Sequence, residues 1–155
     1  MGTCDVSPRG DRPGFAKVLD EQHIALPERP GNKRLDSLQN IMETGRAGLL
    51  FLIPGMEETV RVNGRAAISR DLELLESMAV DGKPAVLAVV FTVEEAYLHC
   101  AKAFRRSRLW ETASWLHSAE LPSAACMCRE QLSLEAVSVE AIAANLEDGY
   151  RKTLW

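Results

Sequence analysis

Polar and apolar residues change period several times along this chain, and each change marks an element. Residues 59–69 alternate. Val60, Val62, Gly64, Ala66 and Ile68 fall on one side, and Arg61, Asn63, Arg65 and Ser69 are among the set on the other. A period of two predicts a half-buried strand. Residues 47–53 are a continuous apolar run ended by Pro54-Gly55, which predicts a fully buried strand. Residues 85–98 form a long Val-rich strand. Residues 15–19 and 23–26 are short strand candidates, and Asp20-Glu21-Gln22 between them makes a hairpin. Residues 3–14, with Pro8, Gly10, Pro13 and Gly14, read as a strand stub running into a loop.

Other stretches carry a helical period. Over residues 33–44, Leu35, Leu38, Ile41 and Met42 share one face, with Asn32 as N-cap and Gly45 as stop. Residues 71–79 predict a short helix capped by Asp71, and Asp81-Gly82-Lys83-Pro84 is a turn. Residues 122–131 and 139–152 predict two C-terminal helices, the last anchored by Leu146, Tyr150 and Leu154. The sum is five to six strands in antiparallel order, because the connections are mostly too short for parallel crossovers. No Rossmann glycine pattern or Walker A loop follows a strand. The fold class is mainly β with peripheral helices, a small barrel or sandwich.

Composition narrows the class further. The chain has 155 residues, 46% hydrophobic and 26% charged. That suits one soluble globular domain and excludes a disordered chain. No apolar run reaches membrane-spanning length. The net charge of −4 is a poor basis for nucleic-acid binding through the phosphate backbone. Cys4, Cys100, Cys126 and Cys128 make no disulfide framework, which suits a reducing cytoplasm. Cys126-x-Cys128 lacks a second ligand pair, so no metal site is expected. Residues 1–14 are polar and Pro/Gly-rich and do not read as a secretory signal.

Three segments could carry chemistry. Arg29-Pro-Gly-Asn-Lys-Arg34 leads into the first predicted helix and places Lys33 and Arg34 in its first turn. Cations there oppose the helix dipole unless an anion is shared between them, and Arg29 lies just before. The alternative is a solvated basic turn. In Asp5-Val-Ser-Pro-Arg-Gly-Asp11, Arg9 can grip a carbonyl, carboxylate or phosphate as a planar fork; the alternative is a surface loop in which Asp11 pairs with Arg9 or Arg12. In His99-Cys-Ala-Lys-Ala-Phe-Arg-Arg-Ser107, Lys102 and Arg106 lie one turn apart, and Trp110 offers a flat apolar wall. Cys100 lacks a neighbouring acid, and a buried Cys at a strand end is commoner than a nucleophile. There is no Gly-x-Ser-x-Gly elbow and no His-Glu-x-x-His helix. The side chains announce no reaction, so any chemistry belongs to a cofactor.

Taken in order, these segments resemble the FMN-binding split-barrel proteins related to pyridoxamine 5′-phosphate oxidase. The matching residues are Cys4-Asp-Val-Ser-Pro-Arg-Gly-Asp11 with Pro13-Gly14-Phe15, Arg29 to Leu38, Gly48 to Pro54, Arg61-Val-Asn-Gly-Arg65, His99 to Phe104, Arg106-Ser107, Leu109-Trp110 and the tail from Leu121 to Arg151. The resemblance implies a six-stranded antiparallel split barrel over residues 1–110. A C-terminal helical extension over residues 111–155 packs on it. It also implies a homodimer with FMN between the subunits and a small-molecule substrate. Asn32, Lys33 and Arg34, with Arg29, are then expected at the flavin phosphate. Ser7, Pro8 and Arg9 form a strand along the flavin, Thr59 and Arg61 reach it from the other side, and Lys102 and Trp110 form a later wall. Relatives carry a further strand before the Cys4 motif. Met1 stands three residues from Cys4, so the barrel is expected to lack that strand, as a natural short form or through a misplaced start.

The leading function is an FMN-dependent oxidoreductase, and the alternative is a flavin-binding carrier or sensor without turnover. A haem or deazaflavin in the same barrel, with His99 as the suspect haem residue, and nucleic-acid binding through Arg105, Arg106 and Arg108 are weaker readings. Residues that would grip pyridoxamine phosphate itself do not stand out.

Overall fold

A computed structural model describes residues 5–31 and 34–154. The chain divides into two compact units, Met1–Trp110 and Glu111–Trp155. The first holds a five-stranded sheet in the order β1-β2-β5-β4-β3, every neighbouring pair antiparallel. Its strands are β1 (Lys17–Val18), β2 (His23–Glu28), β3 (Arg46–Phe51), β4 (Thr59–Ser69) and β5 (Leu87–His99), with helices α1 (Asp36–Thr44), α2 (Leu72–Ser77) and α3 (Lys102–Ser107). The sixth strand of the expected barrel is not among the described residues.

Alternation along each strand gives the sheet two different faces. Leu26, Ala66, Val89 and Phe91 point to one face and pack with Leu38 and Ile41 of α1. Ala25 and Ala88 point to the other and pack with Leu75 and Met78 of α2 and with Ala85. The sheet is thus the middle layer of the core. The bulge at Asn63/Gly64 interrupts β4–β5 pairing. Gly64 is required there, because a Cβ would lie 2.1 Å from the Thr92 carbonyl oxygen.

Local signals set most boundaries. Asp71 caps α2 by accepting from the Leu74 amide at 2.8 Å. Gly45 ends α1 with φ of 65°, a left-handed conformation that favours glycine. Asp81 and Gly82, both at positive φ, turn the chain between Val80 and Lys83.

Several expectations are corrected. The first helix starts at Asp36 with Leu35 at its cap position, so Asn32 is not the cap and Arg34 precedes the helix. Asn32 and Lys33 themselves lie outside the described residues. Asp36 suits the positive helix end, and the supposed conflict of cations in that turn does not arise. Only Leu38 and Ile41 of the apolar face are buried, while Leu35 and Met42 are exposed. Residues 47–53 are not a buried strand. β3 pairs only with β4, at the sheet edge, and Leu50 is 58% exposed. Residues 5–11 carry no strand.

In the second unit, α4 (Ala124–Gln131) and α5 (Val139–Thr153) pack on each other. Ser123 and Ser138 cap them by accepting from the Cys126 and Ala141 amides. Ala125 and Ile142 are the buried residues of these helices. Tyr150 and Leu154, expected as anchors, are exposed, because the buried stripe of α5 runs through Ile142 instead.

Candidate functional site

Residues 5–11 lack strand pairing but are held by side chains. The Ser37 hydroxyl of α1 donates to the Asp5 carboxylate. Arg9 Nε donates to Glu28 Oε2 at 2.9 Å, and its Nη1 donates to the Ser7 hydroxyl and the Pro8 carbonyl. Arg29 Nε donates to Asp11 Oδ2 at 2.8 Å. These contacts bracket two of the predicted segments. Ser7 and Pro8 lie between Asp5 and Arg9, and Arg34 lies between Arg29 and Ser37.

The same contacts change the role of two arginines. Arg29 also donates from Nη2 to the Met78 carbonyl at 2.5 Å and from Nη1 to the Lys83 carbonyl at 3.4 Å. Met78 is the cap residue of α2, so the cation sits at the negative end of that helix. The Asp11 side chain is 1% exposed and that of Arg29 15%. The Arg29 guanidinium is thus engaged by Asp11 and by two backbone carbonyls of the fold. Arg9 is likewise held by Glu28. A shallow cleft of about 220 Å³ beside them is lined by Asp11, Arg12, Phe15, Lys17 and Arg29, with Asp81 paired to Arg12 at 2.7 Å.

A second group lies at the other end of the sheet. Thr59 is buried opposite His99. Arg61 stands in register with Leu50 of β3 and Tyr97 of β5, and its guanidinium lies over the Tyr97 ring, 5.4 Å from the centroid. Lys102 opens α3 and is exposed. Among the described residues, Arg61 and Lys102 make no ion pair. Arg105 does, with Glu57 at 2.6 Å, which raises its pKa further above the usual guanidinium value. Trp110 donates from Nε1 to the Met56 carbonyl at 2.8 Å and meets Phe104 edge-on at 6.0 Å. Tyr97 was missed by sequence reasoning. Its position opposite Arg61 follows from β4–β5 register, which no local pattern reveals.

The strand residues that anchor the two groups, Glu28 and Thr59, stand at opposite ends of β5. Glu28 is opposite Leu87, the first residue of β5, and Thr59 is opposite His99, the last. A strand of that length spans roughly 40 Å at 3.3 Å per residue. Elsewhere, Cys100 is exposed rather than buried and Cys126 is exposed. Among the described residues no group of three or more His, Cys, Asp or Glu could hold a metal ion. No described helix is long and apolar enough to cross a membrane.

No curated protein matches the chain. Among solved structures it is similar to HupZ of Group A Streptococcus, at 20% identity over 54% of this chain and 68% of that one, with a TM-score of 0.43. It is also similar to a candidate pyridoxamine 5′-phosphate oxidase of Lactobacillus delbrueckii, at 21% identity over 54% and 68%, with a TM-score of 0.41. The sequence model of pyridoxamine 5′-phosphate oxidase matches residues 1–100, the stretch that holds both bracketed segments and the whole sheet. On that match this chain belongs to the pyridoxamine 5′-phosphate oxidase family.

Proposed function

We propose that this protein is an FMN-binding flavoprotein of the split-barrel type, an oxidoreductase acting on a small substrate in the cytoplasm. The observation that carries the reading is the family match over residues 1–100. The donor set agrees in kind with a phosphorylated, flat-ringed cofactor. Arg61 and Lys102 have no ion-pair partner among the described residues, and Tyr97 and Trp110 supply rings. Bound FMN supplies the redox chemistry by taking a hydride equivalent on its ring.

The chain's own residues bind and orient. Asn32, Lys33 and Arg34 hold the phosphate by charge-assisted hydrogen bonds. Ser7 and Pro8 lie along the ring. Thr59, Arg61, Lys102 and Trp110 close the site from the second group. Glu28, which holds Arg9, pairs with the first residue of β5 and Thr59 with the last, so a flavin touching residues at both ends is reached more readily if two copies of the chain contribute. That favours a homodimer with the cofactor between subunits.

The test is direct. Added FMN should bind the purified protein, quench its own fluorescence and co-elute with a dimer. A colourless protein that leaves flavin fluorescence unchanged overturns the reading. Flavin that binds but is not reduced by NADH or NADPH, nor reoxidised by any of a panel of acceptors, favours a carrier or sensor over an enzyme.

A further inference from the structure

We infer that Arg9 and Arg29 are positioning residues, which with Glu28 and Asp11 form a two-pair charge lock setting residues 5–11 against the Glu28-Arg29 end of β2. The two pairs have opposite polarity. Arg9 is the cation of the first and Arg29 the cation of the second, so each segment presents one cation and one anion. Laying residues 5–11 in the reverse direction, so that Arg9 met Arg29, would set Asp11 against Glu28, and both meetings would be repulsive. Like charges left together in a partly buried site are costly, so only one direction of the segment satisfies all four groups, and a slip in that direction leaves them unpaired. Residues 5–11 have no backbone ladder to fix their register. The lock takes the place that strand pairing has elsewhere in the sheet.

The lock is also anchored from below. Arg29 reaches the Met78 and Lys83 carbonyls, so the register is tied to the end of α2 and the turn after it. At the far side, Ser37 and Asp5 close the bracket. Ser7 and Arg34 are therefore held between fixed points, although neither belongs to a helix or strand.

The functional readout of this proposal rests on the flavin reading above; its structural readout rests on the ion pairs alone. Glu28→Gln decides between roles. If Arg9 gripped the cofactor, removing the Glu28 charge would release Arg9 and leave FMN binding unchanged or tighter. If Arg9 is a positioning residue, Glu28→Gln weakens binding. We expect Glu28→Gln and Asp11→Asn each to weaken FMN binding about tenfold, the size of coupling typical of contacting charges. Arg9→Glu should weaken it similarly, and Arg9→Glu with Glu28→Arg should recover most of the loss. Without flavin, amide order parameters should fall together at Ser7, Arg9, Gly31 and Arg34 in the single variants, and stay unchanged in β4. Unchanged or tighter FMN binding in Glu28→Gln, or a fall in only one of the two segments, overturns the proposal. If the parent protein does not bind FMN, the flavin reading falls alone. The order parameters then decide the lock: a coupled fall upholds it and an uncoupled one overturns it. Should Asp11→Asn fail to fold, Asp11→Glu replaces it, with the same coupled fall expected at smaller amplitude.

Discussion

The indole Nε1 of Trp110 donates to the backbone carbonyl of Met56 at 2.8 Å, which ties the chain after α3 to the loop before β4. Arg105 and Glu57 repeat the tie next to it. Together they hold the loop that delivers Thr59 to the site. Trp110→Phe keeps a ring against Phe104 but leaves the Met56 carbonyl unpaired. Urea unfolding should show a loss of about 1–2 kcal/mol. FMN affinity should stay near that of the parent if the ring face is what the cofactor meets.

Gly64→Ala tests the bulge. The added methyl group would meet backbone, which cannot swing aside, 2.1 Å from the Thr92 oxygen. The variant should lose about 3 kcal/mol or more, or fail to fold, by overpacking. Gly48→Ala is the comparison. Its methyl group would lie 3.0 Å from the Asn63 side chain, which can rotate, and 3.8 Å from the Val62 carbonyl oxygen, an ordinary contact. Thermal melts should separate the two variants clearly.

Lys33→Ala with Arg34→Ala should weaken FMN binding while the far-UV circular dichroism stays unchanged. Charge-assisted contacts to a phosphate are worth roughly 1.5–3 kcal/mol each. Riboflavin, which lacks the phosphate, should bind the double variant as it binds the parent. Equal FMN affinity in parent and variant would place the phosphate elsewhere.

Asp148 near the end of α5 gives a pH prediction. Hydrogen bonds from Lys152 and then Arg151 hold its carboxyl below the ordinary 3.8. A depressed folded value means that these pairs stabilise the fold above the unfolded value, and that this contribution fades as pH falls through the folded one. Carboxyl carbon shifts followed by NMR should show Asp148 titrating below 3.8. With Lys152→Ala and Arg151→Ala, its midpoint should return toward that value.

Much of the first unit was legible because its signals are local. The alternation over residues 59–69 is β4 to the residue, and Asp71 caps α2 as its side chain and position suggest. The glycine at position 45 stops α1 for the same reason that any left-handed position favours glycine. The candidate site was less legible. A cation-rich stretch from Arg29 to Arg34 looks like one anion-binding unit in sequence. In the fold Arg29 is turned to Asp11 and to the end of α2, and the helix that should have opposed Lys33 and Arg34 begins only at Asp36. The apolar run at residues 47–53 resembles a buried strand, yet its place at the sheet edge leaves Leu50 exposed.

The sequence by itself determined most of the elements, the Asp71 cap, the Gly45 stop and the turn at Asp81-Gly82, and its ordered motifs pointed to the family. The elements, caps and turns depend on neighbours two to four positions apart, where period, capping and backbone preference act. Only the tertiary structure decided which charges meet. Arg9 finds Glu28 and Arg29 finds Asp11 across 19 and 18 positions, and Arg61 finds Tyr97 across two strands. The last pairing follows from the register of the sheet, and the first two from where the unpaired residues 5–11 lie, neither of which a short window of residues contains.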